Sequence, residues 1–284
     1  MANPTVTKLR KIANKKRRQI ETSEKRLRST LKRLQFKLNA FMIKEIIPQL
    51  ETDADGNIRK TTNNKVRLEA TNRLRTLVNR DVQKELRELF NTEYKKIKNS
   101  TDRYFKEFNP TRKQQIAINK INRRLIATFK KRMIANIKIN TMISSLLAQN
   151  IKDGANVKDL RKDMTDFITG RDRLGVLEHE FWEKDGLEQF QVHARSLSQA
   201  YSKRLQLDWA IYAGGEIKTT REFCDERNGK VYSRSEISSW QDEDWQGKKK
   251  NHNIFIDVGG YNCRHEYDWI SFELAVRLRP DIKD

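Results

Sequence analysis

Leu27, Leu31, Leu34, Leu38 and Phe41 step along the chain by four, three, four and three residues. That spacing returns apolar side chains to one face of an α-helix, as in the seam of a bundle helix. The pattern recurs twice more. Leu74, Val78, Val82, Leu86 and Phe90 follow at four-residue steps, and Ile121, Leu125, Phe129, Met133, Ile137 and Leu147 mark a third stretch. Pro48 and Pro110 interrupt it. The polar run ETDADGNIRKTTNNK at 51–65, with its Asp55-Gly56 pair, reads as a loop. The sequence therefore predicts three long amphipathic helices over about 5–50, 66–98 and 112–151.

Charge divides the chain. Residues 1–150 hold 37 Lys and Arg against 13 Asp and Glu, whereas residues 151–284 hold 22 against 25. The resulting excess of +24 in the first part is far beyond the roughly 2–8 charges that solubility asks of a small domain. It points to a polyanion partner, whether nucleic acid, an anionic membrane or an acidic protein surface, and of these double-stranded DNA bound through its phosphates is expected. The densest clusters are Lys15, Lys16, Arg17 and Arg18, then Arg123 and Arg124, then Lys130, Lys131 and Arg132. The bland alternative is a helical stalk that is merely basic. The chain has no apolar run of 18 residues, so no membrane span is expected. Its N-terminus lacks the apolar core of a signal peptide, and its two cysteines fit a reducing compartment.

The change in charge near residue 150 suggests two domains, 1–150 of basic long helices and 151–284 of mixed character. In the second, Asn156 reads as an N-cap, and Leu160, Met164 and Phe167 share one face of a short helix ending at Gly170. A helix is predicted over ARSLSQAYSKRLQLDWAIYAGG, 194–215, closed by Gly214-Gly215. Beyond it, Asn228-Gly229 is a hairpin signal and Val231-Tyr232 suits a strand. The expected fold is mainly α, with long amphipathic helices in the N-terminal half and a small α+β module at the C-terminus. The narrow apolar stripes of 1–150 lead to the expectation that this part needs a partner for full order, while 151–284 folds alone.

Two cysteines and two histidines fall in the last 61 residues: Cys224, His252, Cys263 and His265. Thiolates and imidazoles are the ligands of structural zinc. Neither CDER nor NCRH has the usual two-residue gap between knuckle ligands, however, so two small buried thiols are the favoured reading and no cofactor is required. A third reading makes Cys263 a nucleophile with His265 or His252 as its base, in an enzyme or toxin-type module. The turns around the cysteines predict that Cys224 and Cys263 lie close together without a catalytic thiolate. Gly259, Gly260 and Asn262 mark a tight turn with positive φ, and Trp240, Trp245 and Trp269 are core candidates.

The order of these segments carries a resemblance. A helix at 194–215, then TTREFCDERNGKVYSRSEI, then WQGKKKN, then GGYNCRH, is similar to the order seen in minor head proteins of tailed phages, the Mu F-like or phage head morphogenesis proteins. It covers about residues 150–270. Cys224, Arg227, Gly229, Asn262, Cys263, Arg264 and His265 occupy the positions of the family's signature. Many relatives carry a second Cys beside the first and a Pro before the Asn; Arg227 and Tyr261 stand here instead, which weakens any zinc site carried over from them. The resemblance implies a minor capsid protein in the interior of the head, associated with the portal or inner shell, and a closing motif whose role is structural. A host nucleic-acid-binding helical protein is the remaining alternative.

Overall fold

Leu27, Leu31, Leu34 and Leu38 are all fully buried, on a helix α1 that runs over Val6–Phe41. The structure is a computed structural model and describes residues 5–171 and 173–283. α1 leaves through a π-helical turn, Met42–Ile46, and a 3-10 turn, Ile47–Gln49, in which Pro48 supplies no N–H to continue the ladder. α2 (Asn64–Leu77) and α3 (Gln83–Phe105) follow, joined by a π-helical turn at Val78–Val82. α4 (Arg112–Phe129) starts just after Pro110. The third predicted helix is broken: a π-helical turn at Lys130–Ile134 and a short irregular stretch separate α4 from α5 (Ile139–Asp153). No Gly or Pro marks that break.

α6 (Val157–Thr169) has the boundaries its sequence predicts. The Asn156 side chain accepts from the Lys158 N–H at 3.0 Å, and Gly170 closes the helix at φ +72°. α7 (Val176–Glu183) and α8 (Gln189–Leu205) complete the long elements. Then come β1 (Trp209–Ala213), α9 (Glu222–Asp225), β2 (Val231–Ser233), α10 (Arg234–Ser239), α11 (Ile254–Asp257), β3 (Glu266–Ile270) and α12 (Phe272–Leu278). The three strands form one antiparallel sheet in the order β2-β1-β3, with Ile211 opposite Val231 on one side and Asp268 on the other. The fold is thus mainly α with a small α+β region near the C-terminus.

The predicted 194–215 helix is corrected. Its second half is β1, because α8 stops at Gln206, which takes a left-handed conformation at φ +54°. Asn228-Gly229 does turn the chain, at φ +78° on the glycine, but it joins no two-residue hairpin. It follows α9, and the Gly229 N–H reaches back to the Tyr212 carbonyl at 2.8 Å.

Compact packing does not divide the chain at residue 150. One unit gathers Met1–Ser23, Glu93–Ile126 and Glu188–Asp284; the other gathers Glu24–Thr92 and Ala127–Leu187. The expected self-sufficient module 151–284 is therefore not a packing unit, and neither is 1–150. Regrouped this way, the basic excess is shared. The first unit carries 32 Lys and Arg against 20 Asp and Glu, the second 27 against 18.

In the second unit, α2 packs on α5, and α6 on α5 and α7. The seam of α1, Val78, Val82, Leu86, Phe90 and Met133 are buried in it. Gln35 binds α7 from a distance: its Oε1 accepts the N–H groups of Leu177 and Glu178, both at 2.9 Å, satisfying donors at a helix start that lacks a local cap. The first unit has one continuous core. Leu9 and Ala13 of α1, Tyr104 and Phe105 of α3 and Ile118 of α4 join Leu197, Tyr201, Tyr212, Trp240, Tyr267 and Trp269. The helical segments of residues 1–150 thus have internal packing partners that single-helix stripes do not reveal.

Candidate functional site

β3 begins at Glu266, directly after the stretch that carries Cys263 and His265. α9 brings Cys224 beside them, 3.9 Å from sulfur to sulfur. The His265 Nδ1 lies 3.9 Å from Cys263 Sγ, and ligand atoms of all three residues fall within 4.8 Å of one another. All three side chains are buried. The predicted closeness of the two cysteines is met.

Local chemistry fixes this arrangement. The backbone N–H groups of Gly259 and His265 donate to Cys263 Sγ at 3.3 and 3.4 Å, and the Tyr212 hydroxyl from β1 donates to Cys224 Sγ at 3.2 Å. The hydrogen bond from Cys224 holds the Cys263 thiol well below its usual pKa, against the effect of burial. The same hydrogen bond, with burial, pushes Cys224 up. Of the two thiols, Cys263 is thus the one more readily deprotonated. Arg195 of α8 lies beneath the turn and donates to the carbonyls of Cys263 and His265, both at 2.6 Å, and of Ile256 at 3.1 Å.

Two glycines allow the approach. A Cβ on Gly259 would sit 2.3 Å from Cys224 Sγ and 2.9 Å from Cys263 Sγ, and one on Gly214 would sit 2.5 Å from the His265 ring. The expected positive φ is found at Gly260 and Asn262 but not at Gly259, where close approach is what excludes a side chain.

The other signature residues surround this knot. Arg227 lies over the rings of Phe223 and Trp240, at 4.0 and 4.7 Å, and pairs with Glu243 at 2.8 Å. The Asn262 N–H donates to Glu188 at 2.6 Å, and Arg264 is exposed. Trp245 stacks on Phe223 at 3.9 Å and donates from its indole N–H to the Gly259 carbonyl. His252 stands apart from the cluster, edge-on to Trp245, with its pKa lowered by burial. It drops out of the four-residue ligand set.

The basic clusters separate into two kinds. Lys15, Arg18, Arg123, Arg124, Lys131 and Arg132 are exposed, and Lys130 is half-buried with its ammonium on Asn91. Lys16 and Arg17 are corrected. Lys16 is 1% exposed and pairs with Glu266 at 3.1 Å; Arg17 reaches Glu266 at 3.0 Å and Asp268 at 2.9 Å. These two cations neutralise acids of β3 and are not offered to a phosphate. Burial alone would raise the Glu266 pKa, but Lys16 and Arg17 outweigh it and lower it, whereas burial raises that of Asp268.

The sequence reading missed Tyr212, Arg195, Gly214 and this acid pair. The alternation of Glu266 and Asp268 in HEYDW was the available sign, since a period of two puts both on one face of a strand. It also missed a groove in the second unit, of about 550 Å³, between Lys60, the start of α2 (Asn64, Arg67) and the end of α5 (Gln149, Lys152). Three cations line it and no carboxylate does, though Asp153 stands just outside on the Gln149 amide.

No family model matches the sequence, and comparison with curated proteins and with solved structures returns no match. No helix among the described residues is long and apolar enough to cross a membrane.

Proposed function

We propose that the chain is a minor head protein of a tailed phage, held inside the capsid against the portal or inner shell, where it contacts packaged double-stranded DNA without reading its sequence. The observation that carries this reading is the convergence of the two halves of the signature. CDERNGKVY and GGYNCRH, which resemble the head morphogenesis proteins only when taken together, meet in one buried knot at Cys224, Cys263 and His265. A motif with such packing serves to close a fold, as the resemblance implies.

The DNA contact is supported separately by charge. Both units are basic, and cations stand on exposed helix faces and around an acid-free groove. Such a surface binds phosphates and releases counterions whatever the base sequence. The enzyme reading has less support. Cys263 and His265 are 4% and 3% exposed, and an attacking thiolate must reach its substrate.

Mass spectrometry of gradient-purified phage heads tests the assignment. The protein is expected in DNA-filled heads and in procapsids, at a few copies per portal. Its absence from both, in an infection that expresses it, overturns the proposal.

A further inference from the structure

The two sulfurs and the imidazole lie close enough together to be drawn onto one metal ion. With zinc–sulfur bonds of about 2.3 Å, two thiolates on one ion stand about 3.8 Å apart, and a thiolate and an imidazole nitrogen about 3.6 Å apart. The corresponding separations here are 3.9 Å for Cys224 Sγ to Cys263 Sγ and 3.9 Å for Cys263 Sγ to His265 Nδ1, and all three ligand atoms fall within 4.8 Å of one another, so the Cys224–His265 edge is the one that would close on binding. Two packed thiols need no third donor, yet His265 turns its Nδ1 towards Cys263 Sγ, leaving Nε2 as the nitrogen that carries the ring proton. The backbone N–H groups of Gly259 and His265 aim at Cys263 Sγ, the second shell that stabilises a ligating thiolate.

We propose that Cys224, Cys263 and His265 form a buried zinc site with three protein ligands. Two thiolates and one imidazole in a tetrahedral arrangement select zinc over harder divalent ions. Binding releases the thiol protons, leaves both sulfurs as thiolates and requires no redox step. The ion joins α9 to the start of β3, two segments otherwise linked by the 38 residues between Cys224 and Cys263. This inference stands independently of the phage reading. It differs from the sequence expectation in two ways: a metal is now favoured over two bare thiols, and His252 is not a ligand.

The test uses the full chain, purified under reducing conditions, with zinc measured by plasma mass spectrometry. Wild-type and His252→Ala protein are expected to carry about one zinc per chain, and Cys263→Ser and His265→Ala less than a tenth of that. Because those variants can fail to fold, a second measurement is made on wild type: cobalt(II) is added to chelator-stripped protein that circular dichroism shows to be folded. Thiolate-to-cobalt charge-transfer bands with intense tetrahedral visible bands are expected. Folded wild type that takes up neither zinc nor cobalt overturns the site. So does a cobalt spectrum without the thiolate band, or loss of zinc from His252→Ala.

Discussion

Cys224 and Cys263 are 39 positions apart in sequence and 3.9 Å apart at their sulfurs, with the backbone of Gly259 wedged against both. The wedge leaves no room for a side chain at Gly259. Its φ is not in the left-handed region, so the strain from an added methyl is steric alone. Gly259→Ala is expected to cost about 1–3 kcal/mol, the usual range for overpacking. Gly215→Ala, where a Cβ meets nothing within 4 Å, is expected to be near neutral. Urea unfolding of the two variants checks the contrast, and equal midpoints would contradict it.

The acids of β3 are expected to behave unequally. Glu266 is held ionised by Lys16 and Arg17, so Glu266→Gln leaves buried cations with one carboxylate fewer. Breaking such a group costs about 3–5 kcal/mol. Burial favours the neutral form of Asp268, so Asp268→Asn is expected to cost less. Equal losses on unfolding would show that the two acids share the charge evenly.

His193 gives a pH signature. It lies on α8 with its ring 4.2 Å from that of Tyr94, and neither ring nitrogen finds a hydrogen-bond partner among the described residues. Burial lowers its pKa from 6.5 to about 3. Between those values the unfolded chain binds a proton that the folded one refuses. Its contribution is therefore complete above pH 6.5 and is lost as pH falls towards 3, by up to about 1.4 kcal/mol per unit. In His193→Phe this slope is expected to vanish. Unfolding free energies at pH 7, about 5.5 and about 4.5 check it, and parallel curves for variant and wild type would refute it.

The groove of the second unit predicts a graded effect on DNA. Replacing Lys60, Arg67 and Lys152 together with Gln is expected to lower the slope of log affinity against log salt by up to about 3, near 0.9 per lost phosphate contact. The same exchange at Lys16 and Arg17 would unfold the first unit before it informed on binding, because both are committed to Glu266 and Asp268. A groove variant with an unchanged slope would rule the groove out as a place of DNA contact.

What the sequence made legible was local. Leu27 to Leu38 repeat within a few turns, Pro48 stops its own ladder, and Asn156 caps a helix two residues away. What it concealed depends on distant partners. Arg17 looks like one more charge in KKRR, and its two carboxylates lie 249 and 251 residues on. The end of α8 is set by Gln206 in a left-handed conformation that glycine would have advertised, so the apolar run LQLDWAIYA read on as helix. Half of the site was visible in its turn residues. The rest, Tyr212 and Arg195, came from a strand hidden in that false helix and from a helix face with no chemical motif of its own.

The central claim is sequence-independent binding of DNA by a folded, basic chain. The most direct measurement is the affinity of the full protein for two unrelated double-stranded DNA fragments as salt is raised from about 50 to 200 mM. The account predicts matching affinities for both fragments and a linear fall of log affinity with log salt, of about three to five orders of magnitude if six to ten phosphates are contacted. Absence of binding at the lowest salt, or an affinity that salt leaves unchanged, would contradict it.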